Sequence, residues 1–350
     1  MKTLFALATL LSMVAGAQSA LPRAVDSLVL KGTHAALRHD YDEAERCFRH
    51  AATADRTHPA GLIFLAGLLY QKSEDLSLPF DHHSFDSLLT ESEVRARMRE
   101  SMAPPDPWIP VLRATARGML AVEEAGSGEW MAAVRDALAS SSEAQEAQLQ
   151  DSSMADAGLP LGNYLYWKSR KTEALHWLPL FTDERAEGIR LLEECAQNGR
   201  YHRFAAISSL IWILHDAKDL VRAEAWARRG LVLYPDNRTY LAGLAMVHET
   251  KGEFVDAADG WARIASSLGT AGVGRGYSAF SASVNQLRCL LAAGDVRYSE
   301  SLAGRISEPV VSQVPRPLHG RLKAKIVEWG VLKKRVSAMA ASAAKSSDPR

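Results

Sequence analysis

Residues 204–237 read FAAISSLIWILHDAKDLVRAEAWARRGLVLYPDN, and this stretch decides the fold. Apolar side chains recur at spacings of three and four on both sides of a short polar turn at 217–219, and Pro235 closes the segment. The period predicts two α-helices joined by a tight turn, because residues three and four apart share one face of a helix. Ala223 and Gly230 are small, so the helices can approach closely.

The same pattern returns when the sequence is shifted by 34 residues. Residues 238–271 form a second copy, in which Ala257 takes the place of Ala223. A third copy spans 25–60, and its second helix carries a small–aromatic–small triplet: Ala44, Phe48 and Ala51. Alternating strand patterns are nearly absent elsewhere, so the sequence predicts an all-α chain.

These copies resemble the tetratricopeptide repeat (TPR), a 34-residue helix–turn–helix with a small residue early in its second helix. The resemblance covers most of 21–308 and implies a TPR-like α-solenoid of antiparallel helix pairs, with irregular insertions, over 18–315. It implies that hairpins stack on their neighbours in chain order, because one hairpin cannot bury its apolar face alone. We predict a C-terminal capping helix at 316–336 and a disordered, Ala/Ser-rich tail at 337–350.

The resemblance also implies a binding surface, because the first helices of TPR hairpins line a concave face that holds peptides. By residue match, the candidate peptide groove consists of Ala205, Ser208, Trp212, His215, Thr239, Ala242, Met246 and Glu249. Some family members grip a C-terminal carboxylate with paired Lys and Asn, but the matching positions here are Val29, Thr33, Ser208 and Trp212. The groove is therefore expected to take an extended or helical segment of a partner.

An aromatic insertion at 170–181 is a second candidate contact. Its apolar tip consists of Trp177, Leu178, Leu180 and Phe181, flanking Pro179. Exposed aromatic side chains often supply most of the energy of binding. This loop either docks on a partner or a membrane surface, or folds back and fills the solenoid.

The N-terminus predicts export. A positively charged start, Met1-Lys2, precedes the apolar run TLFALATLLSMVAG and the small residues at 15–17, which is the order of a secretory signal. The run is shorter than a membrane span of about 20 residues, and no later stretch reaches that length. We predict a signal peptide at 1–17, secretion across the inner membrane, and a mature chain in the bacterial periplasm or cell envelope without an integral membrane segment.

Charge is balanced in total and uneven along the chain. The 41 Lys+Arg equal the 41 Asp+Glu, which argues against a nucleic-acid binder, since such proteins need a basic footprint. Residues 72–156 hold sixteen acids and seven bases, whereas 316–350 hold nine bases and two acids. An acidic flank and a basic tail are able to steer a charged partner.

Motifs for catalysis or metal binding are weak. No GxSxG nucleophile elbow occurs. His82 and His83 lie in FDHHSFD, but adjacent histidines diverge on a helix and no HExxH accompanies them, so a helix start capped by Asp81 or Ser84 is predicted instead. The three cysteines, Cys47, Cys195 and Cys289, form no CxxC and are predicted to be buried thiols, with one long-range disulfide as the alternative.

These observations predict a non-enzymatic TPR scaffold that mediates protein–protein interaction in the cell envelope, without a metal or cofactor. Two alternatives stay open from the sequence. One is an envelope hydrolase with an acidic cleft in 76–156, and the other is a structural subunit of an oligomeric assembly that uses the loop at 177–181.

Overall fold

A computed structural model describes residues 20–102, 104–175, 182–270 and 276–346. These residues form α-helices and no β-strand, which confirms the predicted all-α class. The helices are α1 (Arg23–Leu37), α2 (Tyr41–Ala54), α3 (Ala60–Leu76), α4 (His82–Glu100), α5 (Trp108–Ser127), α6 (Trp130–Gln150), α7 (Gly158–Lys171), α8 (Arg185–Asn198), α9 (Arg203–Asp216), α10 (Leu220–Leu233), α11 (Arg238–Lys251), α12 (Phe254–Thr270), α13 (Tyr277–Ala292), α14 (Val296–Arg305) and α15 (His319–Ser346).

The described residues divide into two compact units. Unit 1 contains the described parts of Met1–Lys31, Cys47–Phe64 and Leu88–Ala206, and unit 2 those of Gly32–Arg46, Leu65–Ser87 and Ile207–Arg350. In unit 1, α5 packs on α6, α6 on α7 and α7 on α8. In unit 2, each helix from α10 to α15 packs on the next one. Neighbouring helices therefore pair consecutively, as in a solenoid.

Local signals explain where the helices of the 204–271 stretch begin and end. The Asp219 carboxylate accepts a hydrogen bond from the Arg222 amide at the start of α10, and the Asn237 side chain accepts one from the Tyr240 amide at the start of α11. These side chains satisfy amides that a helix start leaves unpaired. Helix α11 ends at Lys251 and is followed by Gly252, whose φ of 80° suits glycine.

Two glycines set the contact between α7 and α8 in unit 1. A Cβ atom added to Gly162 would lie 2.7 Å from the Gly188 carbonyl oxygen, and one added to Gly188 would lie 2.7 Å from the Gly162 carbonyl oxygen. Both clashes are with backbone, which cannot rotate away. The backbones of the two helices therefore approach as closely as they do only because neither position carries a side chain.

Gly188→Ala is expected to destabilise the protein by about 1 to 3 kcal/mol, because the new methyl group overpacks the α7–α8 contact. The matched control is Gly304→Ala on α14, where an added Cβ meets nothing within 4 Å. That change is expected to be neutral or stabilising by up to about 1 kcal/mol, since Ala favours helix more than Gly does. Urea unfolding followed by circular dichroism measures both, and equal effects would contradict the close-contact explanation.

Buried side chains agree with the repeat pattern. Ala44, Phe48 and Ala51 are each at most 2% exposed, so the triplet on α2 faces the interior. Cys47, Cys195 and Cys289 are buried thiols that form no disulfide, so the disulfide alternative is not realised. The small position Ala223 on α10 is also fully buried.

The predicted disordered tail at 337–350 differs from the structure over its described part. Helix α15 continues through the predicted capping helix at 316–336 and ends at Ser346. Met339 packs against the apolar core of unit 2, which extends the buried face of the helix past residue 336. The Ala-rich sequence that suggested disorder has high intrinsic helix propensity, and the packing of Met339 stabilises the helix there.

Contacts between distant parts of the chain add to the predicted stacking of hairpins on their chain neighbours. In unit 1, the Leu21 amide donates to the Tyr201 hydroxyl at 2.9 Å, and Asp26 pairs with Arg200 at 2.8 Å. In unit 2, the Asn237 side-chain amide donates to the Leu37 carbonyl at 3.0 Å, across 200 residues of sequence. The N-terminal hairpin is thus anchored to segments far along the chain, unlike a repeat in a simple solenoid.

A buried polar cluster completes this anchoring in unit 2. The Arg238 guanidinium is paired with the Asp75 carboxylate, with Nε 2.8 Å from Oδ1, and the Tyr41 hydroxyl donates to Asp75 Oδ2 at 2.6 Å. The Arg238 amide donates to Nε2 of His39 at 3.0 Å. Since Nε2 accepts this bond, His39 is neutral in the folded protein. The cluster therefore joins α2 and the end of α3 to the start of α11.

Acid is expected to weaken this cluster through His39. Burial lowers the pKa of His39 below 6.5, an effect that Arg238 reinforces and that Asp75 and Asp236 oppose. The unfolded chain therefore binds the proton more tightly, so stability that is present above pH 6.5 is lost as pH falls below that value. The control His39→Asn does not titrate, and Asn tolerates the φ of 63° found there.

The melting temperature of the wild type should consequently fall more than that of His39→Asn between about pH 7.5 and about pH 5.5. Other histidines titrate in both proteins and cancel in this comparison. Parallel pH profiles would show that the neutral imidazole of His39 contributes no pH-dependent stability.

Candidate protein-binding surface

The groove predicted from the sequence lies on α9 and α11. In unit 2 these helices are side by side: a Cβ atom added to Gly243 would clash with Cγ2 of Ile211, and Nε2 of His215 is 2.8 Å from Oγ1 of Thr250. Ala205 is one turn before Ser208 on α9 and belongs to unit 1. The structure therefore places the remaining predicted residues on two adjacent helices of unit 2.

Trp212 is the most prominent of these residues. Its side chain is 36% exposed, although Ile211 and Ile213 on either side of it are fully buried. Ala205 is exposed on the same helix, and Ser208 and Thr239 are half-buried. A large aromatic side chain is thus presented at the surface of a helix that is otherwise a core element.

Other predicted groove residues are engaged inside unit 2. The Glu249 carboxylate accepts hydrogen bonds from Nε1 of Trp261 at 2.6 Å and from Nη2 of Arg288 at 2.7 Å. Arg288 is also paired with Glu328 on α15 at 2.7 Å. Glu249 therefore links α11 to α12 and α13 through these hydrogen bonds, and its carboxylate is already used within unit 2.

Three further residues of the predicted groove also make contacts inside unit 2. Ala242 and Met246 pack against the apolar core of unit 2. His215 is bonded to Thr250, and burial, with Lys218, lowers its pKa. Trp212 is consequently the predicted residue best placed to contact a partner. The other candidate contact, Trp177, Leu178, Leu180 and Phe181, lies outside the described residues.

The His82–His83 segment starts a helix. Oδ1 of Asp81 accepts a hydrogen bond from the Ser84 amide at 3.0 Å, which confirms Asp81 as the cap of α4. This interaction with Ser84 also lowers the pKa of Asp81. The predicted capping role thus accounts for this acidic residue.

One group among the described residues has the composition of a metal site: His248, Glu253 and Asp256, with ligand atoms within 4.8 Å of one another. Glu253 is already paired with Lys251, whose Nζ is 2.6 Å from Oε1. The acids begin α12 and the histidine ends α11, positions that the helix dipoles favour for those charges. Their placement is explained without an ion, and we assign no metal to it.

An open cleft of about 390 Å³ in unit 1 is lined mainly by residues of the acidic stretch 76–156. Its lining is Ala20, Pro22, Arg99, Met102, Pro104, Pro105, Asp106, Pro107 and Trp108. Burial alone would raise the pKa of Asp106, but the His58 side chain, whose Nε2 lies 3.3 Å from Oδ2, and a hydrogen bond from the Trp108 amide bring it below its ordinary value. An ionised acceptor is poorly suited to general acid catalysis, which needs a raised pKa.

Other carboxylates of this stretch are held in ion pairs. Arg113 pairs with Glu93 at 3.0 Å and donates to Glu100 at 2.8 Å, and Arg117 pairs with Asp136 at 2.8 Å. These contacts join helices α4, α5 and α6. They give Glu93, Glu100 and Asp136 a structural explanation.

A surface that sequence reasoning missed lies on α6 in unit 1. Trp130, Met131, Val134 and Leu138 are 64%, 87%, 56% and 53% exposed, and their spacing places them on one face. We call these four residues the α6 ridge. The buried side of the helix consists instead of small or polar residues: Ala133, Asp136, Ser140, Ser141, Ala144 and Ala147.

The usual polarity of a surface helix is therefore inverted in α6. Ala and Ser permit a close contact with α5, shown by the 2.7 Å hydrogen bond from Ser140 Oγ to the Ala114 carbonyl. The large apolar residues are left outside. Contiguous exposed apolar residues on a folded protein are typical of interaction sites. The sequence signal that could have identified the ridge is the four-residue spacing of Trp130, Val134 and Leu138 opposite a stripe of Ala and Ser.

Comparisons with known proteins supply no further guide: no protein-family model matches the chain, and no curated protein matches its sequence. No helix in the described part of the chain has the length and apolar character needed to cross a membrane.

Proposed function

We propose that the protein is a non-enzymatic, TPR-like scaffold that binds another protein in the bacterial cell envelope. The consecutive pairing of its helices and the 34-residue period of 204–271 support a TPR-like reading. The apolar N-terminal segment supports the envelope as its location.

The partial exposure of Trp212 is the main observation in support of the binding proposal. Its indole ring is partly exposed on α9, with Thr239 on the adjacent helix α11 half-buried. Tryptophan is enriched among residues that dominate binding energy, because one ring removes a large apolar area from water on contact. The partner segment is expected to lie over α9 and α11, with an apolar side chain against this ring.

The test compares affinity capture of cell-envelope proteins by the wild type, by Trp212→Ala and by a matched control, Val221→Ala. Val221 is 77% exposed on α10. It lies outside the proposed binding surface on helices α9 and α11, which we call the α9–α11 surface. A partner retained by the wild type and the control, and lost by Trp212→Ala, is the expected result. Met246→Ala is less informative, because Met246 contacts the core.

A captured partner is then titrated against the three purified proteins. We expect Trp212→Ala to weaken the affinity by about tenfold to 100-fold, the usual range for an aromatic anchor. Identical affinities for all three proteins would reject α9–α11 as the binding surface. Unchanged melting temperatures would show that the loss does not come from unfolding.

A further inference from the structure

The outer face of α15 is exposed to solvent within the part of unit 2 that the structure describes. The helix buries Leu322, Trp329, Leu332 and Val336, and its opposite side exposes Val327 and Val331 at 62% and 55%. Exposed positions at helical spacing continue this outer strip: Gly320, Lys323, Ala324, Lys334, Arg335 and Ala338. Terminal helices of repeat proteins normally present a polar outer face, so a central pair of valines flanked by bases is a departure from that rule.

Helix α15 is strongly basic. Residues 319–346 contain seven Lys+Arg and one Asp+Glu, a formal charge of +6. The acid, Glu328, is shared by Arg288 and Lys325 at 2.7 Å each. Lys323, Lys334 and Arg335 make no ion pair with any of the described residues. The positive charge along the valine pair is therefore available to a second molecule.

The α5–α6 hairpin, which carries the α6 ridge, has the opposite charge. Residues 108–150 contain six Asp+Glu and three Lys+Arg, a formal charge of −3. All three bases, Arg113, Arg117 and Arg135, are held in ion pairs with carboxylates. The hairpin therefore carries an exposed apolar strip together with a net negative charge, whereas the exposed valines of α15 lie on a helix with a net positive charge.

We propose that the outer face of α15 of one copy docks on the α6 ridge of a second copy, so that the protein associates head to tail. Val327 and Val331 then lie against Val134 and Leu138, and the bases of α15 face the acids of the hairpin.

Charge favours docking of α15 on the α6 ridge over docking of two identical faces on each other. Two α15 faces would bring bases against bases, and two α6 ridges would bring acids against acids, at a cost of like-charge repulsion. A contact between two different faces is heterologous, and it generates an open chain of subunits unless the rotation closes a ring. One helix on one hairpin buries on the order of 1,000 Å², so the association should be weak and dependent on concentration.

The proposal does not involve the α9–α11 surface, so it stands or falls separately from the proposed function. It is tested with the purified mature protein by sedimentation velocity and light scattering across a series of concentrations. The wild type is expected to grow beyond a monomer as concentration rises, and added salt should reduce the growth. A wild type that remains monomeric throughout would overturn the proposal.

Two variants and a control locate the faces. Val134→Lys places a positive charge on the α6 ridge, and Val331→Glu places a negative charge on α15; each is expected to be monomeric alone. Val221→Lys, at an equally exposed position on α10, should associate like the wild type. Association of either single variant at the wild-type level would contradict the assignment of its face.

Mixing the two variants is the decisive measurement. The intact α15 of Val134→Lys can dock on the intact α6 ridge of Val331→Glu, while the other two faces are blocked. A one-to-one complex that does not grow further is therefore expected. A mixture that stays monomeric would contradict docking of α15 on the α6 ridge. If the wild type does not self-associate but binds anionic phospholipid vesicles through α15, the occupant of the α15 face is a membrane surface and not a second copy.

Discussion

Asp156→Ala is expected to lower the free energy of unfolding by about 3 kcal/mol or more. The Asp156 carboxylate is fully buried in unit 1 and accepts backbone hydrogen bonds from Arg200, Tyr201 and His202, at 2.6, 2.9 and 2.7 Å. These amides precede α9. Removal of the carboxylate leaves three donors without their acceptor, and each unpaired buried donor costs about 1 to 3 kcal/mol.

Asp295→Ala is the matched control. Asp295 also caps a helix, but it accepts from one amide, that of Tyr298 at 2.9 Å, at an exposed position. Its loss should cost about 1 kcal/mol. Urea unfolding gives the two free energies, and hydrogen exchange should show faster exchange at residues 200–202 in Asp156→Ala. Equal costs for the two substitutions would mean that burial of the three amides contributes little.

Asp75→Leu is expected to cost about 3 to 5 kcal/mol, because it leaves the guanidinium of Arg238 buried without its counter-charge. Arg238 is 6% exposed, and the Asp75 carboxylate is its paired anion. The same substitution removes the acceptor of the Tyr41 hydroxyl. The effect should appear as a lower midpoint of urea unfolding, with little change in the slope of the free energy of unfolding against urea concentration.

A double-mutant cycle separates the pair from its surroundings. The double variant Asp75→Leu/Arg238→Met removes both charges, and replacing a whole buried ion pair by apolar residues is often close to neutral. We therefore expect the double variant to be more stable than Asp75→Leu alone. A loss in the double variant equal to the sum of the two single losses would show that the charges do not interact.

The parts of the fold that the sequence predicted are those encoded by neighbouring residues. The 34-residue period predicted the helices and turns of 204–271, and the small positions Ala44 and Ala51 are buried as the pattern required. Capping by Asp81 was equally local. Each of these features depends on contacts within one helical hairpin, which spacing along the chain reveals.

Long-range polar contacts had no comparable signal. Asp75 and Asp156 resemble ordinary surface acids in the sequence, and nothing near Asp75 points to Arg238, 163 residues away. Ion pairs and buried caps between distant segments have no period that a single sequence displays. The anchoring of the N-terminal hairpin was therefore not predictable from helical spacing.

The candidate surface was predictable only in part. Spacing placed Trp212 on α9 and left its exposure open, whereas Glu249, another residue of the predicted groove, is bonded to Arg288 on α13. The α6 ridge was missed because large apolar residues on an amphipathic helix ordinarily face the core. In α6 the core side is Ala and Ser, and only the packing against α5 reveals the inversion.

Anchoring across 200 residues has a consequence during synthesis. The Leu37 carbonyl emerges from the ribosome long before Asn237, its hydrogen-bond donor. At about 5 to 20 residues per second, the first hairpin waits roughly 10 to 40 seconds for that partner. During this interval its apolar faces are open to chaperones and proteases, and a nascent chain halted before residue 237 would leave the hairpin permanently undocked.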